Sequence, residues 1–136
     1  VTLLDTSAWI EFLRATGSAT HRAVRSLLEQ GDELHTTDVV VMEVLAGARD
    51  SRNEEQLRRL LARCHHLPLE GLADFEMAAA LYRRCGRGGE TVRVLTDCLI
   101  GAVALRCDVA VLHRDGDFDV LSRQAGLRAG RALPIA

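Results

Sequence analysis

Residues 1–10 read Val1-Thr2-Leu3-Leu4-Asp5-Thr6-Ser7-Ala8-Trp9-Ile10. A short apolar run stops at an acid, two hydroxyl residues follow, and Trp9, Ile10, Phe12 and Leu13 then recur at helical spacing. The stretch is a strand followed by a helix that Thr6 or Ser7 can cap. A strand that feeds straight into a helix is the opening unit of an α/β sheet, and the rest of the chain repeats the alternation.

The spacing predicts a second helix over Thr20 to Gln30, stopped by Gly31-Asp32, and a brief strand over Glu33 to Thr36. Asp38 is placed to cap a third helix with Val41, Val44, Leu45 and Ala48 as its core stripe, and Arg49 to Asn53 reads as a polar connection. A fourth helix carries Leu57, Leu60, Leu61 and Cys64, so Cys64-His65-His66 reads as a helix end rather than a metal motif. Leu67-Pro68-Leu69 reads as an edge strand, since proline cannot donate to a central ladder. Ala78, Leu81, Tyr82 and Cys85 mark a helix ending in a flexible Gly86-Arg87-Gly88-Gly89 loop. Asp97 to Arg106 is apolar almost all round, predicting an internal helix against a sheet, followed by a strand over Val109 to Leu112. Phe118, Leu121 and Ala125 mark a last helix, and Arg131 to Ile135 is expected as the final strand.

This pattern predicts an α/β fold with a mostly parallel sheet covered on both faces, in a single domain over residues 1–136. Ligands of such folds bind beyond the carboxyl ends of the strands, where Asp5 and Asp115 are expected. A hydrophobic fraction of 48% supports a real core, and a net charge of −2 gives no global basic field, so any nucleic-acid contact must use local patches. All seventeen basic residues are arginine, which excludes Schiff-base chemistry and the lysine-bearing phosphate loop. No uncharged run is long enough to span a bilayer, and the chain reads as cytoplasmic, with no membrane partner. Cys64, Cys85, Cys98 and Cys107 show no C-x-x-C spacing and read as reduced thiols.

Four acids stand where burial would penalise them: Asp5 after an apolar run, Glu43 among apolar helix neighbours, Asp97 opening the most apolar helix, and Asp115 after a strand. Singly, Asp5 also reads as a helix cap, Asp97 as a charge favoured by the helix dipole, and Asp115-Gly116-Asp117 as a turn. Glu43 resists such a reading, because Val39, Val40, Ala46 and Gly47 offer it no charge partner. A parallel sheet could bring all four to one end, where a hard cation such as Mg²⁺ or Mn²⁺ would relieve their repulsion. Such an ion suits phosphodiester hydrolysis. Thr6 and Ser7 supply hydroxyls beside Asp5, for capping or for the site.

Four segments carry a resemblance: Leu3 to Ile10, Val41 to Gly47, Thr91-Val92-Arg93 through Asp97 to Ala102, and Leu112 to Phe118. In order and spacing they resemble the acidic motifs of PIN-domain proteins, especially the VapC toxins of bacterial toxin–antitoxin pairs. The resemblance implies a PIN-like three-layer α/β/α fold and an Mg²⁺- or Mn²⁺-dependent endoribonuclease acting on structured RNA, often tRNA. It implies catalytic roles for Asp5, Glu43, Asp97 and Asp115, with the metal on Asp5, Asp97 and Asp115 and with Asp117 as a fifth acid. Arg93 is a further candidate for contact with a phosphate or an acid at the cleft, and Arg83, Arg84 and Arg87 form a basic rim for RNA backbone. The partners implied are a VapB-type antitoxin, a second copy in a homodimer or toxin–antitoxin hetero-oligomer, and promoter DNA only through the antitoxin. Gly101 stands where alanine is more usual in the family, and His113-Arg114 where a threonine-containing segment is common. The contrasting reading is a non-catalytic PIN-like module whose acidic cleft docks a basic partner segment.

Overall fold

The computed structural model describes residues 1–135. Five parallel strands form one sheet: β1 (Thr2–Leu4), β2 (Leu34–Thr37), β3 (His65–Leu67), β4 (Ala110–Leu112) and β5 (Ala129–Gly130), in the order β3-β2-β1-β4-β5. Seven helices connect them: α1 (Thr6–Leu13), α2 (Ala19–Gln30), α3 (Asp38–Ala46), α4 (Ser51–Leu61), α5 (Gly71–Arg87), α6 (Leu95–Cys107) and α7 (Gly116–Ala125). Every residue of β1 and β4 is buried, which in a pleated strand means that both faces of the sheet are covered. The expected three-layer α/β/α architecture is therefore the one observed. No helix among the described residues is long and apolar enough to cross a membrane.

The core runs along the central strands and the helices against them: Leu3, Leu4, Trp9, Val24, Val40, Ile100, Val111, Leu112, Phe118 and Leu121 are buried. Residues Asp97 to Ala104 of α6 are all buried, as its all-round apolar sequence requires. Gly101 lies on this helix where an added Cβ would meet Leu121 Cδ1 at 3.2 Å, which accounts for a residue smaller than alanine there. At the end of α2, Gly31 takes a left-handed conformation (φ 69°), and the N–H groups of Gly31 and Asp32 satisfy the carbonyls of Leu28 and Leu27.

Several boundaries differ from the sequence expectation. The cap of α1 is Asp5, whose carboxylate accepts from the Ser7 N–H, so neither Thr6 nor Ser7 takes that role. Thr37 rather than Asp38 occupies the cap position of α3; the Asp38 carboxylate instead receives the Leu69 N–H and meets His66. That side-chain bond takes the Leu69 amide, and the edge strand is His65–Leu67, not Leu67 to Leu69 or a helix end. The polar stretch after α3 is short because Asp50 caps α4 through the Asn53 N–H. Helix α5 persists through Gly86 to Arg87, and Tyr82 lies on its exposed side. The last strand is Ala129–Gly130, paired with Val111 and Leu112, and not Arg131 to Ile135. All four cysteines are free thiols.

One ion pair, between a buried acid and an exposed arginine, has no precedent in the sequence reading. Asp74 in α5 is 3% exposed and accepts two bonds from Arg106 in α6 (3.0 and 2.9 Å) and one from the Glu70 N–H. The Arg106 bonds hold its carboxyl below the ordinary range. Asp74→Ala is expected to destabilise the protein by about 2–3 kcal/mol, because a charged hydrogen-bonding group loses its partner. Stability from the pair is fully present above the unfolded carboxyl value and disappears as pH falls through the lower folded value. Urea titrations at pH 7 and pH 3 would show a wide gap between wild type and variant at pH 7 and a narrowed one at pH 3.

Candidate active site

Strand order reverses beside β1: the chain goes first to β2 and β3 on one side, then crosses to β4 and β5 on the other. Such a switch point leaves a crevice at the carboxyl ends of β1 and β4. The Asp5 N–H donates to the Leu112 carbonyl at 3.0 Å, continuing the β1–β4 ladder by one residue and fixing Asp5 beside the end of β4. Asp5 Oδ2 accepts from the Ser7 N–H (3.0 Å) and the Ser7 hydroxyl. Ser7 Oγ in turn accepts the Arg114 N–H at 2.9 Å, so this serine ties the end of β1 to the segment after β4.

Asp115 caps α7, its Oδ1 accepting the Asp117 N–H at 2.9 Å. Asp117, 2% exposed, reaches back to the segment before α6 and accepts the N–H groups of Arg93 and Val94, both at 2.9 Å. The Asp97 N–H donates to the Val94 carbonyl, which sets its side chain in the first turn of α6. Asp97, Asp115 and Asp117 thereby bring one carboxylate oxygen each within 4.8 Å of one another. Glu43 on α3 stands on the Asp5 side, its Oε1 accepting the Thr6 hydroxyl at 2.8 Å. Glu43 and Thr6 also line a groove of about 510 Å³ walled by Trp9, Ile10, Leu13, Val44 and Leu57, together with Arg14 and Arg49.

Electrostatics bear the mark of crowding. Burial, aided by Asp117 and then by the charges of Asp5 and Asp115, raises the Asp97 carboxyl from an ordinary 3.8 to about 9. Burial likewise raises Asp5 to about 6, against the lowering effect of its Ser7 bonds and with a further push from Glu43. Asp117 moves the other way: burial would raise it, but the Arg93 and Val94 amides and Asp97 together outweigh that.

The sequence expectation thus meets the geometry unevenly. Asp97 and Asp115 stand in the tight trio, Asp5 flanks it closely enough to perturb Asp97, and Glu43 lies one further step away through Thr6. Asp117, ranked behind these in the sequence, completes the trio. Arg93 extends over it, 76% exposed, with its guanidinium 4.0 Å from Asp115 and 3.8 Å from Asp117. Arg84 is spent on the Gln124 carbonyl, while Arg83 and Arg87 are exposed in the last turns of α5. Ser7, expected as a cap or site hydroxyl, acts as a cross-brace, and His113, whose Nδ1 accepts the Asp115 N–H at 3.1 Å, is marked in the sequence only as standing where a threonine-containing segment is common.

Two oxygens test whether a cation fits. Asp5 Oδ1 and Asp97 Oδ2 are fully buried with no hydrogen-bond partner, an arrangement that is costly unless something positive meets them. The donors gathered here are all carboxylate oxygens, which suit a hard divalent cation of the Mg²⁺ or Mn²⁺ type.

The PIN-domain family model matches residues 2–124. A VapC ribonuclease of Mycobacterium bovis and ribonuclease VapC11 of Mycobacterium tuberculosis are each 44% identical over 128 residues, covering 93% of this chain and 96% of theirs. Among solved structures, VapBC2 of Rickettsia felis, bound to a DNA fragment from its promoter, aligns with a TM-score of 0.73 at 14% identity over 95% of this chain and 96% of that one. With a parallel sheet ending in clustered acids and near full-length similarity to VapC proteins, the chain belongs to the PIN-domain family, in its VapC branch.

Proposed function

We propose that this protein is a metal-dependent endoribonuclease toxin of a type II toxin–antitoxin pair, hydrolysing phosphodiester bonds in structured RNA, with tRNA as the substrate class. The observation that carries the reading is the buried, unpartnered Asp5 Oδ1 and Asp97 Oδ2, with Asp97 one of three mutually adjacent carboxylates. Kinship with VapC ribonucleases supports it over a docking module without catalysis.

In this reading Asp97, Asp115 and Asp117 hold Mg²⁺ or Mn²⁺, with Asp5 completing the charge around it. The ion, when bound, polarises a phosphate oxygen and eases deprotonation of an attacking water. Glu43 is the residue to receive that water's proton: Thr6 fixes one of its oxygens and leaves Oε2 as the acceptor. Ser7 keeps Asp5 oriented through its two bonds. Arg93, 4.0 Å from Asp115 and 3.8 Å from Asp117, is placed to contact a substrate phosphate, and a cation held by those carboxylates would weaken their pull on it. Arg83 and Arg87 contact RNA backbone further out.

The partner is a VapB-type antitoxin, for whose apolar segment the groove beside Glu43 offers a seat. Promoter DNA is met through the antitoxin, the assembly is a homodimer or a toxin–antitoxin hetero-oligomer, and the compartment is the cytoplasm. The test is incubation of the partner-free chain with total RNA, with and without Mn²⁺, followed by mapping of cut ends. Discrete cuts in tRNA that need Mn²⁺ and vanish in Glu43→Gln are expected. Undiminished cutting in metal-chelated buffer, or none at millimolar Mn²⁺, would overturn the reading.

A further inference from the structure

The acid cluster depends on the backbone of the Asp115 turn, and that backbone is held by an imidazole. His113 is the first residue beyond β4 and is wholly buried. Its N–H donates to the Gly130 carbonyl at 3.0 Å, the Thr20 hydroxyl, which donates to the Arg131 carbonyl at 2.6 Å, lies 3.4 Å from its own carbonyl, and its ring lies on Phe118 with centroids 5.3 Å apart. In the orientation this confined ring holds, Nδ1 accepts the Asp115 N–H at 3.1 Å.

An accepting Nδ1 has no proton, so the neutral ring carries its proton on Nε2. Nε2 is buried without a hydrogen-bond partner and faces Asp119 Oδ1 at 3.6 Å, a distance at which attraction favours a proton on that nitrogen. Asp119 is itself held by Arg131 at 2.7 Å. The Asp115 amide lies two atoms from the side chain that caps α7 and receives the Asp117 N–H. Fixing this amide therefore fixes where both Asp115 and Asp117 present their oxygens.

We infer that His113 is a positioning residue of the acid cluster: through its Nδ1 acceptor it sets the backbone of Asp115 and, through Asp115, the approach of two of the three clustered carboxylates. The inference rests on the metal-dependent reading for its consequence, though not for its geometry. Support from ring to amide is the kind of outer contact whose loss weakens metal affinity about 10–100-fold.

Three measurements test it. Long-range ¹⁵N–¹H correlation of the unaltered protein should show His113 as the Nε2–H tautomer; a proton on Nδ1 would end the proposal without any substitution. Asparagine can place an acceptor oxygen where Nδ1 stands, whereas the glutamine oxygen reaches one carbon further. In metal-free protein, the Asp115 amide should therefore stay protected from hydrogen exchange in His113→Asn and lose protection in His113→Gln. Calorimetric Mn²⁺ titration should give His113→Asn a dissociation constant within about threefold of wild type and His113→Gln one weaker by about tenfold or more. Equal exchange and equal affinity in the two variants would overturn the inference. If wild type binds no Mn²⁺ while the amide follows the acceptor, it is the metal-dependent function that falls and the positioning role that stands.

Discussion

Asp97→Asn is expected to abolish RNA cleavage and, in metal-free buffer, to make the protein more stable. The loss should be on the order of 10³-fold or more, about 4 kcal/mol of transition-state stabilisation, because the amide removes a charge from the centre of the trio. The gain in stability has a separate cause. In the metal-free fold the Asp97 carboxyl is 5% exposed, has an unpartnered buried oxygen and sits against Asp5, Asp115 and Asp117. An amide relieves that strain by about 1–3 kcal/mol, visible as a higher melting temperature.

The pH dependence gives the prediction its sign. Burial and like charge raise Asp97 to about 9, so between roughly 4 and 9 the folded protein binds a proton that the unfolded chain releases. Stability of the metal-free wild type therefore falls as pH rises through this window, and Asp5, raised to about 6, adds to the fall over the lower half. The Asp97→Asn substitution removes the larger contribution, so the variant's profile is flatter and its advantage grows from pH 5 to pH 8. Mn²⁺ should shrink the variant's advantage, since at one hundred times its dissociation constant wild type gains about 2.7 kcal/mol, while the variant, short of one carboxylate, gains less. Melting curves at two pH values, with and without Mn²⁺, decide the matter. A variant less stable than wild type at pH 8 without metal would contradict the account.

What the sequence revealed about this site follows from how local each cause is. Asp5, Asp97 and Asp115 could be singled out because each borders an apolar run, and Glu43 because its helix neighbours offer it no charge partner. Their convergence at one end is expected from the strand–helix alternation, which implies a parallel sheet, whereas the neighbouring of β1 and β4 is a feature of strand order that alternation does not set. Asp117 was harder to rank, since Asp115-Gly116-Asp117 is explained as a turn by itself. Its importance comes from Arg93 and Val94, more than twenty residues away. Asp74 carries no sequence signal for the same reason, its partner Arg106 being 32 residues on. The edge strands were misplaced because two or three residues carry no periodicity. β3 is polar at His65 and His66, and β5 is only Ala129–Gly130, both set by register to a neighbour.

Asp117→Asn is expected to combine a chemical defect with a mechanical one, and thereby to exceed the effect of Arg93→Ala. Both Asp117 oxygens are engaged as acceptors, Oδ1 from Arg93 N–H and Oδ2 from Val94 N–H. An asparagine can reproduce only one; the other position becomes an NH₂ pointed at an N–H, and a backbone donor is left unsatisfied at about 1–3 kcal/mol. The freed segment is the one that delivers Asp97 into the cluster, through the Asp97 N–H to Val94 carbonyl bond. Beyond these bonds the loop is fastened by Val92, buried in the core, and at its far end by Glu90 to Arg123 and Gln124. Cleavage should therefore drop about 10²–10³-fold, the scale of losing one prearranged charge-stabilising group, and Mn²⁺ affinity should drop with it. The distinguishing observation is faster hydrogen exchange at the Arg93 and Val94 amides, with the remainder of the sheet unchanged. Arg93→Ala keeps the backbone bonds and removes only an exposed guanidinium, so it should leave those amides protected and Mn²⁺ binding intact while weakening turnover of RNA. Identical exchange at the two amides in Asp117→Asn and wild type would show that the loop is held by something other than this carboxylate.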